Sequence, residues 1–173
     1  MIKKVGPKHR SWRDMVSKLA ILRALVRSSE PFSSDLLDKE VKELRHWVLY
    51  TAVNIELELE LVIIGNIGSF EDQIELDERE YDKRTIFLIK MRSVLERTDF
   101  RRKLDIAREI RAISREVYDK LDKLRRLRNL FAHGLNSELR EYENKEKMFD
   151  VYEIISNAQS SLKPLLETYK FKK

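Results

Sequence analysis

Arg128, Asn129 and His133 lie close together in the segment Arg-Asn-Leu-Phe-Ala-His-Gly, residues 128 to 134. An arginine carries a fixed positive charge on a planar fork that matches phosphate oxygens. A histidine takes up and releases a proton near neutral pH, and an asparagine amide can hold an imidazole in one orientation. These are side chains suited to reaction at a phosphodiester, with one group moving the proton and another meeting the charge that builds up. The same residues also fit a plain helix end, because histidine in a last turn followed by glycine is a familiar stop signal.

The placement of Arg128 sharpens the question. At about 100° per residue, Val117, Leu121, Leu124, Arg128 and Ala132 fall within roughly 40° of one line on an ideal helix. An arginine therefore stands in an apolar stripe. Burying its charge alone would cost several kcal/mol, so it must reach solvent, pair with an acid, or face a second chain. Asn129 and His133 are i,i+4 neighbours on an adjacent face, which lets the amide bond the imidazole. Arg128 and His133 point about 140° apart, so a joint site needs the reach of the arginine, a distortion near Gly134, or a second chain.

The elements that would hold these residues are helical. Trp12, Val16, Leu19, Ala20, Leu22 and Val26 follow a helical spacing over residues 11 to 27, opened by Ser11 as N-cap. After a break at Ser28 to Ser33, a second helix begins at Ser33 or Ser34 and carries Leu37, Val41, Leu44, Val48, Thr51 and Ile55 as far as Gly65. Within it Ile55-Glu-Leu-Glu-Leu-Glu-Leu61 alternates as a strand would; with no turn residue before it, helix is preferred. Gly65-Asn-Ile-Gly68 is read as a chain break, followed by an acidic loop or short helix and an amphipathic run over about 84 to 96. Thr98 and Asp99 offer the next cap. From there one apolar stripe, Leu104, Ile106, Ile110, Ile113, Val117, Leu121 and Leu124, runs to the Arg128 segment, where Gly134 can end the helix in the left-handed conformation. Leu135 to Met148 reads as a loop or short hairpin, and Phe149 to Tyr169 as the closing helix.

Length and composition agree with that pattern. A chain of 173 residues supports one domain, taken as 1–173 with a basic extension over about residues 1 to 10. Only 4 Gly and 3 Pro interrupt long helix-favouring stretches, so an all-α antiparallel bundle of about five helices is expected. Absence of cysteine excludes disulfides, thiol nucleophiles and cysteine-ligated zinc, and three scattered histidines demand no metal and no cofactor. No apolar run reaches signal-peptide or membrane-spanning length, which makes a soluble, cytoplasmic protein the expectation. Charge is unevenly spread. Residues 56 to 82 carry ten acids against Arg79, whereas residues 101 to 128 hold eleven Lys or Arg against five Asp or Glu, a net of +6 that would attract a polyanion. Solvated helix faces laced with i,i+4 pairs such as Asp119 and Lys123 are the commoner origin of such runs.

The run Leu-Arg-Arg-Leu-Arg-Asn-Leu-Phe-Ala-His-Gly, residues 124 to 134, resembles the signature of the HEPN superfamily, in which Arg, often followed by Asn, precedes His by four to six intervening residues. Here four intervene. The resemblance covers this motif and, in pattern only, the helix order. It implies a HEPN-like helical bundle, usually a homodimer, and a metal-independent endoribonuclease of toxin–antitoxin or antiviral defence systems. On that basis Arg128 and His133 of two subunits would meet in a cleft, with Asn129 orienting them and Lys123, Arg125 and Arg126 contacting RNA. Attack by a 2′-hydroxyl would leave a 2′,3′-cyclic phosphate, and DNA would be spared. An antitoxin or nucleotidyltransferase partner is implied as well. Relatives paired with a nucleotidyltransferase often carry Tyr two residues after the His, where this chain has Leu135. Two alternatives remain: a catalytically silent HEPN-like module that binds a nucleotide or protein, and a helical nucleic-acid-binding regulator. Asp119 and Asp122 are read as surface pairs, His9 and His46 as ordinary, and Trp12 and Trp47 as core. Tyr50, Thr51 and Asn54 are candidates to line the cleft.

Overall fold

A computed structural model describes residues 34 to 71, 78 to 134, 139 to 142 and 144 to 168. Among these residues the fold is an all-α bundle of five helices: α1 (Ser34–Glu71), α2 (Glu78–Glu96), α3 (Phe100–Glu109), α4 (Arg115–His133) and α5 (Lys145–Thr168), with a 3-10 turn at Arg140–Tyr142. No strand occurs among them. The helix expected over 11 to 27, the basic terminus with His9, Trp12 and the acidic residues 72 to 77 lie outside the described residues. No helix among the described residues is long and apolar enough to cross a membrane.

Helix α1 does not stop at Gly65. It continues through Gly65 and Gly68 to Glu71. A helical glycine costs about 1 kcal/mol relative to alanine, and the complete burial of Val62 and Ile63 beside it outweighs that cost. The alternating segment Ile55 to Leu61 lies within this helix. On a helix, residues two apart point about 200° apart, so alternation produces two opposite apolar stripes. Ile55 and Leu59 enter the core, while Val53, Leu57 and Leu61 remain about half exposed on the far side.

The expected single stripe from Asp99 to Arg128 is two helices. Asp99 caps α3 by accepting from the Arg102 backbone N–H at 3.0 Å. Arg111 then turns the chain in the left-handed region, at φ 58. Ala112 N–H bonds the Ala107 carbonyl at 2.8 Å and Arg111 N–H bonds that of Arg108 at 3.0 Å, which is the Schellman way of closing a helix. Ser114 restarts the chain by capping α4 through the Val117 N–H. The usual glycine signal is absent, so the pattern of apolar residues runs through the break unmarked.

Helix α1 packs along α4 and α5, α4 packs on α5, and α3 bridges α1 and α4. Leu44, Trp47, Val48, Leu59, Leu104, Leu121, Leu124, Phe131 and Tyr152 lie in the shared core. Between α3 and α1, the almost wholly buried Lys103 donates to Glu56 at 2.7 Å and Glu60 at 2.6 Å. Helix α2 leans chiefly on α1, and its Ile86, Phe87, Ile89 and Val94 stay exposed. Helix α5 begins at Lys145, earlier than the apolar pattern suggests, because Asn144 caps it by accepting from the Lys147 N–H at 2.9 Å.

Candidate active site

The Arg128 segment forms the last turns of α4. Leu121 and Leu124 are completely buried by the protein's own helices and Val117 is half-buried, so the middle of the stripe that contains Arg128 is core. Beyond it the helix opens: Arg128, Asn129 and Ala132 are half-buried and His133 is exposed. Phe131 anchors this end, 1% exposed, with the Tyr142 ring of the 3-10 turn against it at 5.2 Å between centroids. A turn packed against the core through Phe131 therefore carries the three polar side chains.

Their contacts differ from expectation in two ways. Arg128 donates through Nη1 to Asn129 Oδ1 at 3.3 Å, so the asparagine steadies the arginine. The expected bond from Asn129 to the His133 ring is not formed among the described residues. Gly134 is also not left-handed. It ends the helix at φ −63 and ψ 146, with its N–H bonding the Leu130 carbonyl at 2.7 Å. That backbone is open to any residue, so the glycine is not required there for its conformational freedom.

Arg125 and Arg126 are held from within. Asp122 is 6% exposed and was expected at the surface. Its carboxylate accepts from Arg125 Nε at 2.7 Å, Arg126 Nε at 2.8 Å and, across from α3, Arg101 Nη1 at 3.2 Å. Burial alone would raise this carboxyl, but hydrogen bonds and charge from Arg125 and Arg126 outweigh it and hold its pKa below the ordinary aspartate value. Arg101 also bonds Asp105 at 3.2 Å, and Tyr118 donates its hydroxyl to the same Asp105 at 2.8 Å. Arg101 and Arg108 lie over the Tyr118 ring, 5.6 and 5.3 Å from its centroid, within cation–π range. Burial and Asp105 together raise the Tyr118 hydroxyl, which remains a donor at neutral pH.

Lys123 stands apart. It is exposed, and on the helix it points about 100° from Asp122. Lys120 pairs with Glu116 at 2.6 Å, and the expected Asp119–Lys123 pair is absent among the described residues. Among the cleft candidates, Thr51 is completely buried and lines no surface, while Tyr50 and Asn54 are half-buried. His46 stacks on Tyr50, with centroids 6.1 Å apart. Trp47 is core, 3% exposed. Among the described residues no group of three or more His, Asp or Glu is placed to hold a metal ion.

Arg101 and Tyr118 were missed by sequence reasoning. Arg101 precedes Asp122 by twenty-one residues, and only the fold back at Arg111 brings them together. No family model, no curated protein and no solved structure matches this chain.

Proposed function

We propose that the protein is an endoribonuclease that works without a metal, using Arg128 and His133 at the exposed end of α4. The observation that carries this reading is the arrangement at that end: a half-buried arginine steadied by Asn129, with an exposed imidazole one turn further on. A ribose 2′-hydroxyl attacks the adjacent phosphorus, forming the O2′–P bond while the P–O5′ bond breaks. One imidazole takes the hydroxyl proton, a second returns a proton to the departing 5′ oxygen, and Arg128 meets the charge that builds on the phosphoryl oxygens. The products are a 2′,3′-cyclic phosphate and a 5′-hydroxyl. A second copy of the chain supplies the second imidazole.

Surface chemistry supports association of two copies. Every large, well-exposed apolar side chain among the described residues lies on α1 or α2: Val53, Leu57 and Leu61 on one, Ile86, Phe87, Ile89 and Val94 on the other. Apolar side chains exposed in this number on two neighbouring helices are the kind of surface that a second copy can cover. Glu58 borders the stripe on α1, and the exposed Lys83 and Lys90 sit among the side chains of α2. A two-fold arrangement would set each α1 against the other copy's α2, opposite charges together. A cytoplasmic toxin–antitoxin or defence setting belongs to the same proposal and rests on the motif alone.

End-labelled RNA incubated in EDTA with the parent protein and with Arg128→Ala and His133→Ala tests the reading. Cleavage by the parent only, leaving cyclic-phosphate ends, is expected. If RNA survives in all three, or is cut equally by all three, the enzyme reading fails and a silent binding module takes its place.

A further inference from the structure

Asp122, Arg126, Asn129 and His133 fall within about 60° of arc on α4, and Tyr118 and Arg125 extend that face to about 100°. The face runs about 16 Å along the helix from Asp122 to His133. Its upper part is the Asp122 cluster, where one buried carboxylate gathers guanidinium groups from two helices. We propose that Arg101, Arg125 and Arg126, gathered by Asp122, form a phosphate clamp that holds the backbone of single-stranded RNA on the same helix face that ends at His133.

The hydrogen-bond pattern is what favours binding over simple charge balance. Arg126 spends Nε on Asp122, which leaves both of its terminal amino groups to reach outward, and Arg125 makes the same Nε bond from a position only 18% exposed. Those paired donors match two oxygens of one phosphate. Arg126 is the most open, its side chain 73% exposed, and Arg101 follows at 47%. A free arginine would lose rotamer freedom on binding; one already fixed by a buried acid loses less. Beside them the Tyr118 ring stacks with Arg101 and Arg108, extending the cationic surface across α3. Asp122 is thus a positioning residue. It carries negative charge yet serves anion binding by ordering three positive side chains.

That role predicts an effect of opposite sign to net charge. Asp122→Asn removes a negative charge, so if the cluster were only a solvated basic surface, RNA would bind equally or more tightly. If Asp122 orders the clamp, binding weakens. The polyanion's identity as RNA rests on the ribonuclease reading; the clamp itself is tested by binding alone, in a His133→Ala background where no substrate is consumed. Anisotropy of a labelled single-stranded oligoribonucleotide would be followed over a salt series. Asp122→Asn should weaken binding several-fold and Asp122→Glu should restore part of the loss. Arg126→Gln, at an exposed position that leaves folding intact, should reduce the slope of log affinity against log salt by about 0.7, the loss of one phosphate contact on a single strand. Arg101→Gln should do likewise.

Unchanged or tighter binding by Asp122→Asn would overturn the proposal, and if that variant fails to fold, unchanged salt slopes for both arginine variants would do so. Tighter binding to duplex DNA than to single-stranded RNA would also overturn it. A parent protein that binds in this pattern but never cleaves would end the ribonuclease reading and leave the clamp. One that cleaves while every clamp variant binds normally would do the reverse.

Discussion

Leu57 and Leu59, two residues apart on α1, face opposite ways: Leu57 is 51% exposed and Leu59 is completely buried. The first is available to another surface and the second belongs to the core. Replacing both Leu57 and Leu61 by Glu is expected to leave urea stability within about 0.5 kcal/mol of the parent, as surface changes generally do, while shifting sedimentation from dimer to monomer. Leu59→Ala, by contrast, is expected to cost about 2–5 kcal/mol through the cavity it opens. A double variant that still sediments as the parent does would remove this face from the proposed dimer interface.

Arg111 occupies a left-handed position that favours glycine. The backbone there costs a residue with a Cβ about 1 kcal/mol or more, and among the described residues the exposed Arg111 side chain makes no hydrogen bond or ion pair that would repay it. Arg111→Gly should therefore raise stability by about 0.5–1 kcal/mol, read from the midpoint of urea unfolding at an unchanged slope. Destabilisation would mean that the turn at Arg111 is not closed as described.

Lys103 is held between Glu56 and Glu60, with its side chain only 3% exposed. Burial alone would lower its pKa, but the two glutamate hydrogen bonds outweigh burial and raise it above the ordinary lysine value of 10.5. Because the folded pKa is the higher one, the stability gained is complete below the unfolded lysine pKa and is lost as pH rises through the folded value. The parent should therefore lose stability on the alkaline side, and Lys103→Met should not show that dependence. At neutral pH the single variant is expected to cost about 3–5 kcal/mol, since it leaves Glu60 buried without its partner. Adding Glu60→Gln should recover part of the loss, and equal alkaline slopes in thermal melts of parent and Lys103→Met would contradict the account.

Periodicity made the helices legible, and it failed where a different residue did a familiar job. The apolar spacing around Leu44, Val48 and Ile55 placed α1, and Asp99 marked the start of α3. Gly65 misled, because burial of its neighbours outweighs the cost of a helical glycine. Arg111 misled in the opposite sense, making a turn normally written with glycine, so α3 and α4 read as one element. The motif itself was visible as residues, but its contacts were not: that Asn129 bonds Arg128, and that Asp122 is buried, depend on side-chain placement at the helix end. Arg101 had no local signal, since its partner lies across the turn at Arg111.

Arg128 supplies the most specific test of the chemistry. Its only hydrogen bond among the described residues is to Asn129, and its half-exposed position at the end of the stripe means that stability depends little on it. Arg128→Lys keeps the charge but loses the planar pair of donors that can meet two phosphoryl oxygens together. If the guanidinium stabilises charge in the reacting phosphate, cleavage by Arg128→Lys should fall about 10²-fold or more, as when a preorganised donor is removed elsewhere. Asn129→Ala, which frees the arginine without removing it, should fall by less. Both variants should melt like the parent. Should Arg128→Lys cleave at the parental rate, a point charge suffices, and the arginine's role would be electrostatic attraction of RNA with no part in the reacting geometry.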